Sequence, residues 1–597
     1  MEHMLKVRQN NPHKNHMPKH RIMGCMIARL FRTGSALAIL ASIASGCGGT
    51  SSQPTIAQTP GNGVRLSDTQ IAEPYNPQSP AAHYLAARQA LYINAIEDSA
   101  YFYMRTLEAE PDNIEFLQRN FISQYYLGHI ERAASIGRQL ESLNITTSLS
   151  FEPSIAMAIR DGDWDAVMVL IDNVAENIPS RQFAGIVKAW AMVATGRGDA
   201  GITHLTNSAM SLVDAENGLP FYHQLHHALM FEALGNKDDA LLKAQLLIDD
   251  QIPSSAIMLD LASLLYRLGA HEMADTMLDQ KLPRAFDLET TRQFLAAQTD
   301  QPPSIIQNIA NGVVQTASNN GEGQPQTIGA RLRFAIYIAP GLDSARFSLA
   351  QTLNMLRLET PAMDVLAGID PMGLWAQPAM LMKLDMLVAQ NDFKSALSII
   401  RSFLAQHPEN GFLHKEHGDI LRRNSDYAGS RDAYLQAEKY GFESGALDRN
   451  LAIAYEQLGI DDKAEERFLA ALTINPNDAF TLNYLGYWWA DEGRNLAEAI
   501  KLIEKAVELR PKSGYFVDSL GWVHYKLGNF PVAVELLEKA TTLEPADPVI
   551  FDHLGDVYWR LDRYAEARHM WDYAIDQTDD PELSRTIRNR LSDGLEQ

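Results

Sequence analysis

An all-α solenoid of antiparallel helix pairs, wound into a right-handed superhelix, is the fold class this sequence predicts. Three observations predict it. Ala350, Leu384, Gly418, Ala452, Gly486, Gly521 and Gly555 recur at steps of 34, 34, 34, 34, 35 and 34 residues. Twelve residues after each comes a second small residue: Ala362, Ala396, Ser430, Ala464, Ala533 and Ala567, with Ala499 in that role in the repeat with one extra residue. Prolines close repeats at Pro408, Pro476, Pro511 and Pro545. Two small residues at these offsets let paired helices approach closely, and proline stops the second helix. No such pair buries its apolar face alone, so each stacks on the next and the core runs lengthwise. β-Structure is expected to be near zero.

At 597 residues the chain is too long for one core, and 46% apolar with 21% charged residues is ordinary for a globular chain. The formal net charge is −23, which argues against nucleic acid, since a phosphate-binding surface needs excess Lys and Arg. No run of about 18 apolar residues is present, so no transmembrane helix is expected. The two cysteines, Cys25 and Cys47, both precede the repeats, which leaves no disulfide or zinc cluster for the folded part.

Taken in order, residues 1–46 read as a signal peptide with an over-long start. Arg29 and Arg32 form a basic region, and the nine-residue apolar stretch 36–44 is too short to cross a ~30 Å membrane core. Four histidines in residues 1–25 read as part of that basic region, or of translation assigned from too early a Met, more than as a metal tract. Ala44-Ser45-Gly46-Cys47 resembles a bacterial lipobox, with Ala44 where Leu is usual. The resemblance implies that Cys47 is lipidated and becomes the first mature residue, and Gly48 after it implies outer-membrane sorting. Residues 47–80 are a Gly-, Ser-, Thr- and Pro-rich tether. Several acyl chains at about 0.8 kcal/mol per buried CH2 make a firm anchor. Seven Lys/Arg and one acidic residue fall within 1–46, leaving 44 basic and 73 acidic residues, net −29, from Cys47 on. An acidic surface does not bind anionic headgroups, so the membrane contact comes from the acyl chains.

Residues 81–300 carry the same pattern in degenerate form, with small residues at Ala133, Ala240 and Ala274 and a clear helix-turn-helix over 260–282. Residues 301–342 read as an irregular helix pair with a long loop at 319–326. A GxG occurs in that loop, but no strand precedes it, so it reads as loop and not as a phosphate cradle. Residues 343–580 form the regular array, and 581–597 a capping helix and tail.

The 34-residue pattern resembles the tetratricopeptide repeat. The run 481–575, which opens TLNYLGYWWADEG and closes YAEARHMWDYAI, resembles tetratricopeptide-repeat outer-membrane lipoproteins of proteobacteria. That resemblance implies a lipid-anchored scaffold on the periplasmic face of the outer membrane. Some members of the wider group are adaptors that present cell-wall hydrolases to periplasmic carboxyl-terminal processing proteases, so these are the implied partners. The alternative is a component of an envelope export or assembly machine, for polysaccharide secretion or outer-membrane protein assembly.

In such repeats, positions two, five, nine, twelve and thirteen face the groove. With the glycine as position eight, the groove residues include Phe480, Asn483, Tyr487, Asp491, Tyr515, Asp518, Trp522, Tyr525, Lys526, Asp552, Asp556, Trp559 and Arg560. Asn483, Tyr487, Asp518, Trp522, Tyr525, Asp552, Asp556 and Trp559 are the candidate partner-binding set. Aromatics beside carboxylates suit a polypeptide, which offers apolar and cationic groups. Packing of Trp522 and Tyr515 against adjacent helices is the competing reading, and Trp488 and Trp489 read as core. Lys415, Arg422, Arg423 and Arg449 make the preceding section basic, which suggests a groove polarised along its length. The Lys/Asn clamp for a C-terminal carboxylate is absent, since Asp419 and Ile453 stand at position nine. No nucleophile elbow, Walker loop, HExxH or paired CxxC occurs. His223 and His227 lie four apart but read as helix packing without a third ligand. No enzyme activity, cofactor, metal or small-molecule substrate is expected. Cys47→Ser is expected to move the protein from the membrane pellet to the soluble periplasmic fraction; unchanged fractionation would exclude Cys47 as the anchor.

Overall fold

A computed structural model describes residues 79–93, 95–147, 149–173, 178–210, 220–319 and 325–595. The leader, Cys47, the tether and most of the 319–326 loop lie outside them. The described residues form thirty α-helices between Pro80 and Asp593 and no strand, as the sequence predicts.

The predicted register is built as helix pairs. Gly418, Ala452, Gly486, Gly521 and Gly555 sit in the first helices Gly411–Arg423, Gly445–Gln457, Ala479–Asp491, Gly514–Lys526 and Pro548–Arg560. Asn410, Ser444, Asp478 and Asp547 cap four of these, each side chain accepting a backbone N–H of the first turn. All seven small residues of the second helices, from Ala362 to Ala567, have no exposed surface. The close approach is measurable at the glycines. A Cβ on Gly418 would stand 2.4 Å from the Tyr434 ring, and one on Gly555 2.4 Å from Trp571 Nε1. On Gly521 it would stand 2.8 Å from Leu537 Cγ.

A second periodic feature lies in the turn inside each pair. Arg357, Asn391, Ser425, Gly459, Gly493, Gly528 and Asp562 all take the left-handed conformation, with φ of 61–77°. The extra residue of the fifth step is absorbed in the turn of residues 492–495, where Asn495 is also left-handed at φ 50°. The same turn residue recurs in the first half at Gly128, Gly162, Gly196, Gly235 and Gly269. The degenerate half therefore keeps the period, with one longer interval between Gly196 and Gly235.

Two compact units result, one reaching Met386 and one running from Leu387 to Gln597. The boundary falls inside helix Ala376–Ala389, within the stretch expected to be one regular array. In the C-terminal unit the helix Pro581–Asp593 covers the last pair, burying Leu583 and Ile587. In the N-terminal unit the turn register lapses between Gly269 and Arg357. There the chain makes helix Leu288–Ala296 and then the helices Ile305–Asn319 and Pro325–Ile338, which pack on each other. His223 and His227 are both buried on helix Phe221–Ala233. His227 Nε2 lies 3.1 Å from Thr206 Oγ1, and burial lowers His223 to about 4, which keeps it neutral.

Two outcomes follow from this packing. Gly555→Ala forces a methyl into Trp571, whose indole is fixed by a 3.1 Å bond to Asp556, and is expected to cost about 1–3 kcal/mol in chemical denaturation. Asp260, in helix Ser255–Arg267, accepts hydrogen bonds from Asn311 (3.2 Å) and Gln315 (2.9 Å), and burial raises its carboxyl to about 7. Between pH 4 and 7 the folded chain keeps a proton there that the unfolded chain has lost, so unfolding free energy falls as pH rises through that window. Asp260→Asn is expected to remove that fall when urea midpoints at pH 5 and pH 8 are compared.

Candidate functional site

Three consecutive first helices carry the candidate binding residues: Asn483 and Tyr487 on Ala479–Asp491, Asp518, Trp522 and Tyr525 on Gly514–Lys526, and Asp552, Asp556 and Trp559 on Pro548–Arg560. Spacings of three and four put each set on one helix face. The structure brings the three sets together, because each first helix lies against the next. Tyr487 feels Asp518 and Asp552 from the two following helices; burial first, then Asp491 and these two, raises its hydroxyl well above its ordinary range.

The site differs from the expected solvated wall in one respect. Asn483, Tyr487, Asp518, Trp522, Asp552 and Asp556 are buried, and only Tyr525 and Trp559 are half-exposed. The carboxylates are claimed internally by the helix one repeat on. His553 Nδ1 lies 2.9 Å from Asp518 Oδ1, and Arg590 of the last helix pairs with Asp552 and, at 3.1 Å, with Asp556. Trp522 lies flat between His553 (4.1 Å between ring centres) and Tyr525 (4.7 Å). Trp559 packs on Tyr564 at 4.6 Å and Trp571 at 5.4 Å. Trp488 and Trp489 are buried as expected of core, with Arg494 4.2 Å above the Trp488 ring.

The electrostatics follow from burial. Burial raises the Asp556 carboxyl to about 7 against the pull of Arg590, with Asp552 adding to the rise. Burial raises Asp518 against the pull of His553. Burial pulls His553 down, but Asp518, Asp552 and Asp556 outweigh it and raise the imidazole. Asp518 and His553 thus hold a proton between them in a site closed to solvent.

Two further features mark this face. Asn483 Oδ1, Asp518 Oδ2 and Trp522 Nε1 make no hydrogen bond within the chain, although they are buried. Such atoms are costly unless something pairs with them. Beside them stand half-exposed aromatics: Phe480, Tyr515, Tyr525 and Trp559. Phe480 lies 4.4 Å beneath the Arg510 guanidinium and edge-on to Phe516 at 5.7 Å.

Three of the four basic residues predicted upstream are engaged within the chain. Lys415 pairs with Asp419 (2.8 Å) and Glu416 (2.9 Å), and Arg449 with Asp478 (2.5 Å). Arg422 is buried and donates to Tyr434 at 3.3 Å, and Tyr434 donates to Asp419 at 2.7 Å. The acidic partners came from neighbouring positions that a list of Lys and Arg alone overlooks. Reading by single repeats likewise misses His553 and Arg590. A signal for the former existed: Asp491 with Lys526 (3.1 Å) and Asp518 with His553 are opposite partners one 35-residue step apart.

The comparisons with known proteins agree with this architecture. The tetratricopeptide repeat model matches residues 381–438, 415–479 and 490–549, so these stretches are tetratricopeptide repeats. The TPR repeat-containing protein PA4667 of Pseudomonas aeruginosa is 27% identical over 192 residues, covering 31% of this chain. The chain spans about a third of that relative, 32% of its length. The Photosystem I assembly protein Ycf3 of Prochlorococcus marinus is 26% identical over 136 residues, 20% of this chain and 78% of Ycf3. Among solved structures, the APC/C hetero-tetramer Cut9–Hcn1 is 14% identical with a TM-score of 0.37, covering 87% of this chain and 97% of the other.

Trp522→Ala separates wall from core. The ring is 7% exposed and clamped on both faces, so the variant is expected to lose about 3–5 kcal/mol of stability, read as a lower denaturant midpoint.

Proposed function

We propose that this chain is a protein-binding scaffold which takes a partner polypeptide on the first-helix face of its C-terminal unit, while lipid on Cys47 holds it to the periplasmic face of the outer membrane. One observation carries the binding reading: the half-exposed aromatics Phe480, Tyr515, Tyr525 and Trp559 stand on three consecutive first helices that lie against one another. Large rings on a rigid wall lose little entropy on binding and bury much area, so a few of them can dominate affinity for a polypeptide. The tetratricopeptide repeats support a scaffold over an enzyme.

The sharper form of the proposal is an adaptor that delivers cell-wall hydrolases to a periplasmic carboxyl-terminal processing protease. It rests on the resemblance of 481–575 to lipoproteins of that group. The assembly role in the name of the Ycf3 relatives favours a second form, in which the scaffold holds components of an envelope assembly machine.

Photo-crosslinking in cells tests both. A crosslinking amino acid replaces Tyr525 or Tyr515 in one set of variants and the exposed outer residues Leu469 or Leu509 in another. Polypeptide adducts are expected from the first set alone, and Phe480→Ala in the same background is expected to weaken capture about tenfold or more. Equal adducts from both sets would remove the groove reading. Mass spectrometry of the adduct then separates a protease or hydrolase from an assembly component.

A further inference from the structure

The helices Ile305–Asn319 and Pro325–Ile338 occupy an unusual place in the N-terminal unit. They pack on the following helix Asp343–Met355 and also reach back across earlier pairs. Ile305–Asn319 lies against Ile178–Ala194 and Phe221–Ala233, and Pro325–Ile338 lies against Ile114–Leu127 and Glu152–Asp161. All four are first helices of their pairs, each followed by its left-handed turn glycine and a second helix. The hairpin therefore covers, in this unit, the face that offers itself to a partner in a tetratricopeptide array.

Its contacts are those of a fitted ligand. Arg331 donates to Glu152 Oε1 through Nε (3.1 Å) and Nη2 (2.7 Å), while Tyr125 donates to Glu152 Oε2 at 2.8 Å. All three side chains are buried, and 179 residues separate Glu152 from Arg331. Phe334 meets Phe183 edge to face at 5.3 Å. Further along, Asn311 and Gln315 hold the Asp260 carboxylate, and Tyr337 donates to Glu131 at 2.8 Å. Both helices approach through a glycine. A Cβ on Gly312 would stand 2.6 Å from Ile186 Cγ2, and one on Gly329 2.5 Å from the Tyr126 ring.

We infer that the hairpin 305–338 is a built-in ligand that fills the first-helix face of the N-terminal unit for as long as that unit is folded, so that this face receives no partner. Lifting it off would uncover Tyr126, Ile186 and Phe183, would take Arg331 from Glu152 and leave it Tyr125 alone, and would strip Asp260 of its amides. Charges left without partners in a largely apolar face are costly, as is fresh apolar exposure. A partner segment would have to repay all of that. The inference stands without the binding reading for the C-terminal unit, and its tests need no partner.

Native-state hydrogen exchange on the full chain decides it. Amides of 305–319 and 325–338 are expected to exchange with the same protection and denaturant dependence as those of 114–127 and 178–194, because all open in one unfolding event. Protection of the hairpin ten-fold or more below that of those helices would mean a strap that lifts by itself, and would overturn the inference. A fluorescent synthetic peptide copying residues 303–340, in excess over the full chain, supplies the second measurement. No stable incorporation under native conditions is expected; incorporation would show that the face opens to an outside chain and would overturn it equally.

Discussion

The glycine-bearing repeats of this chain depend on two helices meeting at a point where a side chain would hold them apart. The small residue of the first helix and the alanine or serine of the second make that contact possible, and a large residue sixteen or seventeen positions after the first closes over it. Tyr434 lies over Gly418, Ile503 over Gly486, Leu537 over Gly521 and Trp571 over Gly555. These four large residues have no exposed surface. The tight approach also fixes the turn. A connection of three residues between antiparallel helices needs one left-handed residue, and the chain places one there at each step, glycine in some repeats and Arg, Asn, Ser or Asp in others. A pair so formed still has one uncovered apolar face, which must go on to the next pair or to a cap. In the C-terminal unit the helix Pro581–Asp593 ends the series.

The same geometry disposes of charge. The chain is strongly acidic, yet the acids of its first-helix faces are largely matched from the next helix. Asn450 donates to Asp419 at 2.8 Å, Tyr484 to Glu456 at 3.0 Å, and Lys526, His553 and Arg590 serve Asp491, Asp518 and Asp552. A carboxylate removed from water is tolerated only with such a partner. This ladder turns the inner face from a simple negative surface into a wall of paired groups with aromatic ridges. On the proposed reading, specificity for a partner rests on the half-exposed rings more than on net charge.

The two units use the first-helix face differently. In the N-terminal unit Glu152 and Asp260 are engaged from within the chain, by Arg331 and by two amides of one helix. In the C-terminal unit the described residues put no helix pair across the face, and its acids are paired from neighbouring first helices and, at the end, by Arg590 of the cap. Burial in the floor of that face explains why Trp522 and Asp518 look like contact residues by position and behave as structure. Position in the repeat gives the side of the helix, whereas exposure depends on how far the neighbouring helix leans over it.

The sequence by itself determined the helix pairs, their register from Ala350 to Gly555, and the small residues that let them close. These are local rules repeated every 34 residues, and one chain carries enough repeats to reveal them. It also marked the irregularity of residues 301–342, since the pattern lapses there. The glycines at 128, 162, 196, 235 and 269 carried the first half's period too, but in the turn and not at the small-residue position used to align the second half. Only the tertiary structure decided where the irregular helices go, because Arg331 finds Glu152 across 179 residues with no local signal. It alone decided which groove residues are wall and which are core. Asp518 is closed off by His553 and Trp522, and Asp552 by Arg590. Such closure is a property of three helices packed together, which no single helix periodicity encodes.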